Sequence, residues 1–230
     1  MRKAVFGRLS ISAQVWAPAR VFATLADRSL RIGAVVSLLT IGGVAAHAQT
    51  LAALPSAQPI ERNGAAKPVL GWTRFCERYP EECRVDTSEA AVVTVTAQVW
   101  RTITSVNRRV NARIKPLTDK EHWGVVDSWD FPDDGLGDCE DYQLLKRKLL
   151  VEQGLPRRAL RMTVVIDDQG EGHAVLMVRT DRGDFILDNK TNAVLAWNQT
   201  GYVFVKREGQ DNATWASLGG LASPVTTANR

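Results

Sequence analysis

The hydrophobic period changes once along the chain, and that change constrains the fold more than any other feature. Upstream of Gly154-Leu155-Pro156 the apolar steps are three and four. Val92, Val95, Val99, Ile103, Val106 and Val110 predict an amphipathic helix from a Thr87 or Ser88 cap to about Ile114, stopped by Pro116. A second helix is predicted from Asp138, with Tyr142, Leu145 and Leu149 on its buried side. Downstream the period is two, over residues 160–166, 173–180 and 185–188, separated by Asp167-Asp168-Gln169-Gly170 and Asp181-Arg182-Gly183-Asp184, with a further strand at 202–206. Helices followed by an antiparallel meander make an α+β plan.

The ends of the chain read differently. Residues 1–48 hold six bases and one acid, then an apolar stretch from Ile32 and an Ala46-His47-Ala48 cleavage pattern, which is the layout of a secretory signal. That stretch falls short of the roughly 20 residues that span a bilayer, so no stable membrane insertion is expected once it is removed. Without the leader, 23 bases face 24 acids. A near-neutral chain lacks the basic patches by which proteins neutralise phosphates, so a nucleic-acid partner is not expected. Residues 49–66 read as a linker, 67–208 as the folded domain and 209–230 as a loose tail.

Export implies an oxidising compartment, where cysteines tend to pair. Cys76 and Cys83 bracket one short aromatic segment and are the natural pair, which leaves Cys139 as the remaining thiol. Cys139 sits in Gly137-Asp138-Cys139-Glu140-Asp141-Tyr142, with Asp138 as the expected cap and Asp141 completing a capping-box-like pair. The first turn of a helix favours a thiolate through unpaired N–H groups and the helix dipole.

A thiol nucleophile needs an imidazole and a group that orients it. His47 leaves with the leader, so His122 and His173 are the candidates. In a hairpin with a two- or four-residue loop, paired positions sum to an odd number, which puts Asp188 on the same face as His173, a diagonal of roughly 7–8 Å away. Cys139, His173 and Asp188 are therefore the candidate catalytic residues. Trp123, Trp129 and His122 read as core or cleft-wall packing residues, with His122 the second candidate for the base.

This order of Cys, His and Asp resembles papain-like and transglutaminase-like thiol enzymes. The blocks Asp127-Ser128-Trp129, Gly137-Asp138-Cys139-Glu140-Asp141-Tyr142, His173-Ala174-Val175-Leu176, Leu187-Asp188-Asn189 and Gly201-Tyr202 are similar to those of the bacterial transglutaminase-like cysteine peptidases, which include the LapG-type periplasmic proteases. The resemblance implies a nucleophile at a helix start packed on an antiparallel sheet. It assigns Cys139 as nucleophile, His173 as general base and acid, and Asp188 as the orienting carboxylate. It also implies a periplasmic endopeptidase whose substrate is an envelope or surface protein such as an adhesin, as in biofilm control, and an inner-membrane receptor that sequesters it. Transfer of the acyl group to an amine, or a silent binding module on the same fold, are the alternative readings. The segment Asp130–Leu136 departs from the family pattern, being shorter and less apolar, so the resemblance carries the chemistry further than it carries the substrate.

From Asp127 to Asp141 there are seven acids and no base. Like charge raises a thiol's pKa, and a divalent cation would relieve the conflict, with carboxylates as the hard-oxygen ligands that Ca²⁺ takes. The family resemblance points to Asp138, Glu140 and Asp141 as the calcium ligands.

Overall fold

The structure is a computed structural model and describes residues 54–220. The expected signal peptide, residues 49–53 of the expected linker and residues 221–230 of the expected tail lie outside the described residues. The helices are α1 (Leu70–Arg78), α2 (Pro80–Cys83), α3 (Ala97–Arg113), α4 (Asp119–His122) and α5 (Cys139–Glu152). The strands are β1 (Ala65–Ala66), β2 (Lys115–Pro116), β3 (Leu136–Gly137), β4 (Leu160–Ile166), β5 (Gly172–Thr180), β6 (Gly183–Leu187), β7 (Leu195–Ala196), β8 (Val203–Glu208) and β9 (Trp215–Ser217). Seven strands form an antiparallel sheet in the order β1-β9-β8-β4-β5-β6-β7, while β2 and β3 form a separate parallel pair. The α+β plan is the observed one. Among the described residues no helix is long and apolar enough to cross a membrane.

One core packs α1, α3 and α5 against the sheet through Phe75, Ile103, Val106, Leu144, Leu150, Met162, Val164 and Leu176. Helix α3 begins later than its apolar steps predict, because the Thr96 side chain accepts the Val99 N–H as the cap. Val93 instead runs beside β5, with its N–H on the Arg179 carbonyl, and Val92 is exposed. On α5 the deepest leucines are Leu144 and Leu150, while Leu145 and Leu149 are only half-buried. This helix buries most of its circumference, Lys146 and Arg147 included, so a single apolar stripe describes it poorly.

A second core, of Val165, Val175, Met177, Ile186 and Phe204, is covered by Ile60. The described part of the expected linker is thus no linker. The Ala57 N–H donates to the Arg182 carbonyl, Trp197 Nε1 to the Gln58 carbonyl and the Asn63 N–H to the Ser217 carbonyl, tying the segment across the sheet. Gly183 permits this crossing: its φ is +102°, and a Cβ there would meet the Ala57 carbonyl oxygen at 2.2 Å. The expected loose tail is also corrected up to residue 220. β9 pairs with β1 and β8, and Trp215 is buried against Trp72 and Trp129. Three-residue strands carry too little period to be read from sequence, and apolar burial rather than pattern fixes them here.

Candidate active site

The β2–β3 pair sets the start of α5. Lys115 pairs with Leu136 and Pro116 with Gly137, and the Leu117 N–H donates to the Gly137 carbonyl at 3.0 Å. The chain then turns into α5 with Cys139 as its first residue. Gly137 is required because a Cβ would come within 2.8 Å of the Asp141 side chain. Asp138 occupies the cap position, yet its side chain makes no cap bond; Oδ2 accepts the Asp119 N–H at 3.2 Å instead. Asp141 reaches both ways, its Oδ1 accepting the Asp130 N–H at 2.8 Å and its carboxylate also taking the Asp138 backbone N–H. The expected capping box is therefore half formed: Asp141 holds the cap residue's N–H, whereas the Asp138 side chain serves the preceding loop.

Cys76 and Cys83 are joined in a disulfide, and Cys139 stands outside it. The two-residue loop Asp181-Arg182 pairs Leu176 with Leu187, so the same register continued sets Asp188 opposite Val175, one diagonal of two residues from His173. His173 Nε2 and Asp188 Oδ1 lie 2.9 Å apart. Tyr202 donates its hydroxyl to Asp188 Oδ2 at 2.6 Å, and the Lys190 N–H donates to Oδ1 at 3.0 Å. Sequence reasoning gave Tyr202 no role, although its phenol completes the carboxylate's partners. Burial pushes Asp188 up, but the His173 bond and charge and the Tyr202 hydroxyl outweigh it and hold its pKa down at about 2. Burial and the Asp188 carboxylate push Tyr202 up, so it remains a donor.

With Nε2 engaged, His173 Nδ1 is the ring nitrogen left over; it is buried with no hydrogen-bond partner among the described residues. The Cys139 sulfur lies beside the next residue, accepting the Ala174 N–H at 3.4 Å. The sequence-predicted Cys139, His173 and Asp188 thus meet at one end of α5, with relative exposures of 1%, 0% and 2%. A cavity of about 300 Å³ opens on the Asp188 and Tyr202 side, lined also by Lys190, Thr191 and Thr200. His122 goes elsewhere: Nε2 pairs with Asp134 at 2.8 Å and the ring stacks on Trp123. Trp129 packs in the core, whereas Trp123 is more than half exposed and so is no core residue.

On the other side of the thiol stand the acids. Cys139 donates its S–H to Glu140 Oε2 at 3.0 Å. Carboxylate oxygens of Asp119, Asp138 and Asp141 lie within 4.8 Å of one another, and so do those of Asp119, Asp127 and Glu140. Asp119 and Asp127 were not among the expected ligands; Asp130 and Asp134 bond to Arg78 and His122 instead. Burial first, then the charge of Asp119, raises Asp138 to about 7. Burial and neighbouring acids raise Glu140 and Asp141 well above the carboxylate range. Cys139 is raised too, by burial, by the charges of Glu140 and Asp138 and by the Glu140 bond, against the Ala174 N–H. Without a counter-charge, these acids cancel what the helix N-terminus would do for a thiolate.

Two solved structures are similar: LapG of Legionella pneumophila, calcium-bound, at 25% identity over 56% of this chain and 74% of that one, with a TM-score of 0.46. The EGTA-treated form of the same protein matches at 27% identity over 51% and 67%, with a TM-score of 0.45. No curated protein matches. The family model of the bacterial transglutaminase-like cysteine proteinases covers residues 62–222, which takes in both β1 and β9 as well as the Cys139 helix. With that span matched, the chain belongs to the bacterial transglutaminase-like cysteine proteinases and is a cysteine peptidase.

Proposed function

We propose that the chain is a periplasmic endopeptidase that works through Cys139, His173 and Asp188 and cuts an envelope or surface protein. The observation that carries the triad is the division of labour on His173: Nε2 is tied to Asp188, leaving the buried Nδ1 for the thiol proton. In the forward step His173 takes that proton as Sγ attacks the peptide carbonyl, and then delivers it to the leaving amine nitrogen as the C–N bond breaks. Water, deprotonated by the same imidazole, next cleaves the thioester and regenerates the thiol. Backbone N–H groups at the start of α5 are the available oxyanion donors. The leader pattern supports export, and an adhesin held at the surface is the substrate class that the family resemblance suggests.

Calcium suits the acid cluster. Asp138 Oδ1 and Glu140 Oε1 are buried acceptors with no hydrogen-bond partner among the described residues; the carboxylates are hard-oxygen donors, and the Cys139 sulfur lies within 4.8 Å of those of Asp138 and Glu140. Asp138, Glu140 and Asp141, joined by Asp119 and Asp127, would hold the ion. When bound, it supplies positive charge that offsets the carboxylates beside Cys139. Cys139→Ala should lower peptidase activity at least about a thousandfold while the protein stays folded, read on envelope proteins compared with and without the active enzyme. Unchanged cleavage by that variant would remove the triad reading.

A further inference from the structure

The proposed chemistry uses Asp188 through one of its two carboxylate oxygens. Oδ1 faces His173 Nε2 at 2.9 Å and accepts the Lys190 N–H at 3.0 Å. Oδ2 accepts the Tyr202 hydroxyl at 2.6 Å, the length of a charge-assisted O–H···O⁻ bond. Among the described residues no other donor reaches Oδ2.

Sheet register explains how the tyrosine arrives there. Val165 of β4 pairs with His173 on one side and with Phe204 of β8 on the other, and side chains alternate along a strand. Tyr202, two residues before Phe204, is thereby set on the face that carries His173, and the continued β5–β6 register sets Asp188 on it too. The Tyr202 backbone is itself pinned. Gly201 turns the chain with a φ of +76°, the Tyr202 N–H donates to Thr200 Oγ1 at 3.2 Å, and that hydroxyl donates to the Trp197 carbonyl at 2.9 Å. Tyr202 therefore touches both members of the pair beside it: its hydroxyl meets the carboxylate, and its ring meets the imidazole edge to face, with centroids 5.8 Å apart and planes at 83°. A carboxylate's last torsion is soft, so one oxygen bonded to His173 and a backbone N–H does not by itself fix the other. Without the phenol, Oδ2 would be a buried acceptor stripped of its donor, next to the cavity that Asp188 and Tyr202 line.

We propose that Tyr202 is a positioning residue of the triad: its hydroxyl locks Oδ2 so that Oδ1 stays on His173 Nε2, its ring keeps the imidazole from tilting, and together they reserve Nδ1 for the thiol proton. The inference rests on the triad reading. A tyrosine that only filled space would show in stability and leave the reactivity of Cys139 alone.

The experiment compares wild type, Tyr202→Phe and Asp188→Ala in excess calcium. It reads iodoacetamide alkylation of Cys139, with Cys139→Ala as the blank, the melting temperature, and the NMR shifts of the His173 ring nitrogens in histidine-labelled protein. Tyr202→Phe keeps the ring and removes only the oxygen. The expected result is a melting temperature within a few degrees of wild type, displaced His173 shifts, and alkylation slowed about tenfold, the scale set by stranding one buried acceptor. A folded Tyr202→Phe protein that alkylates at the wild-type rate, or whose His173 shifts do not move, overturns the inference; slowed alkylation in Asp188→Ala then leaves the triad standing. An Asp188→Ala protein that alkylates at the wild-type rate overturns the triad and the inference with it. Should Tyr202→Phe not fold, a fluorinated tyrosine placed at position 202 keeps the hydroxyl and makes it a stronger donor: displaced His173 shifts support the inference, and unmoved shifts overturn it.

Discussion

Two buried charge clusters sit at the two halves of α5, and they are built on opposite principles. Around Glu208, Arg147 donates to both carboxylate oxygens at 2.9 Å, Trp72 Nε1 to Oε1 and the Met162 N–H to Oε2, with Arg161 close by. Burial pushes Glu208 up, yet the charges of Arg147 and Arg161 overcome it and hold its pKa below the usual carboxylate value. At the start of the helix, Asp119, Asp127, Asp138, Glu140 and Asp141 crowd together, with only Lys206 near Asp127 and His122 near Asp119 to set against them, and those with a clear shift are raised. Both clusters cost desolvation; only the first contains its own compensation. A charge-balanced ion network holds the fold, whereas a cluster of one sign marks a place where charge is expected from outside the chain.

The largest effect should follow from breaking the balanced network. Arg147→Met strands Glu208 among apolar side chains and should cost about 3–5 kcal/mol in urea unfolding, whatever the calcium concentration. A loss below about 1 kcal/mol would show that Arg161 and Trp72 suffice.

A smaller effect of opposite sign belongs to the acid cluster. Asp119→Asn in metal-stripped protein removes one of several like charges and should stabilise by about 1 kcal/mol, since burying fewer uncompensated charges is favourable. In excess calcium the same substitution should destabilise. One sign under both conditions would break the contrast between the two clusters.

Their pH dependences should diverge as well. Asp138 titrates near 7 in the folded chain against an ordinary 3.8, so between those values the folded state keeps a proton that the unfolded state has lost. Stability of the metal-stripped protein should therefore fall as pH rises from about 4 to about 7. Glu208 acts the other way: its contribution is complete above its ordinary 4.5 and is lost as pH drops through the lowered folded value. Calorimetry across that range in chelator and in calcium separates them, and a slope that calcium leaves untouched would assign the effect to other groups.

How much of this was legible in the sequence varies by element. The switch of period near Pro156 gave the α+β plan, and the odd pairing sum placed Asp188 near His173, because both rest on local geometry that a strand cannot evade. The acids at 138, 140 and 141 were visible as a cluster. Asp119 was not: it lies on a four-residue helix whose Thr118 and Glu121 form a capping box, and only the chain's return through β2 and β3 brings it to Asp138. Val92 and Val95 extended the helical steps of α3 backwards, but Thr96 caps the helix after them, and Val93 contacts β5. Residues 57–66 and 209–220 looked structureless because their order comes from distant contacts, such as Ile60 with its N–H on Asp184 and Trp215 in the core. Tyr202 was in plain view, yet nothing local marks a tyrosine as a carboxylate's partner.

The central claim is that the unbalanced acids around Cys139 await a cation. Thermal unfolding of the metal-stripped protein, with and without calcium, tests it alongside Asp138→Asn, Asp141→Asn together. The account predicts a calcium-dependent rise of several degrees in the wild type that the double variant lacks. A wild-type melting temperature that calcium does not move would contradict it.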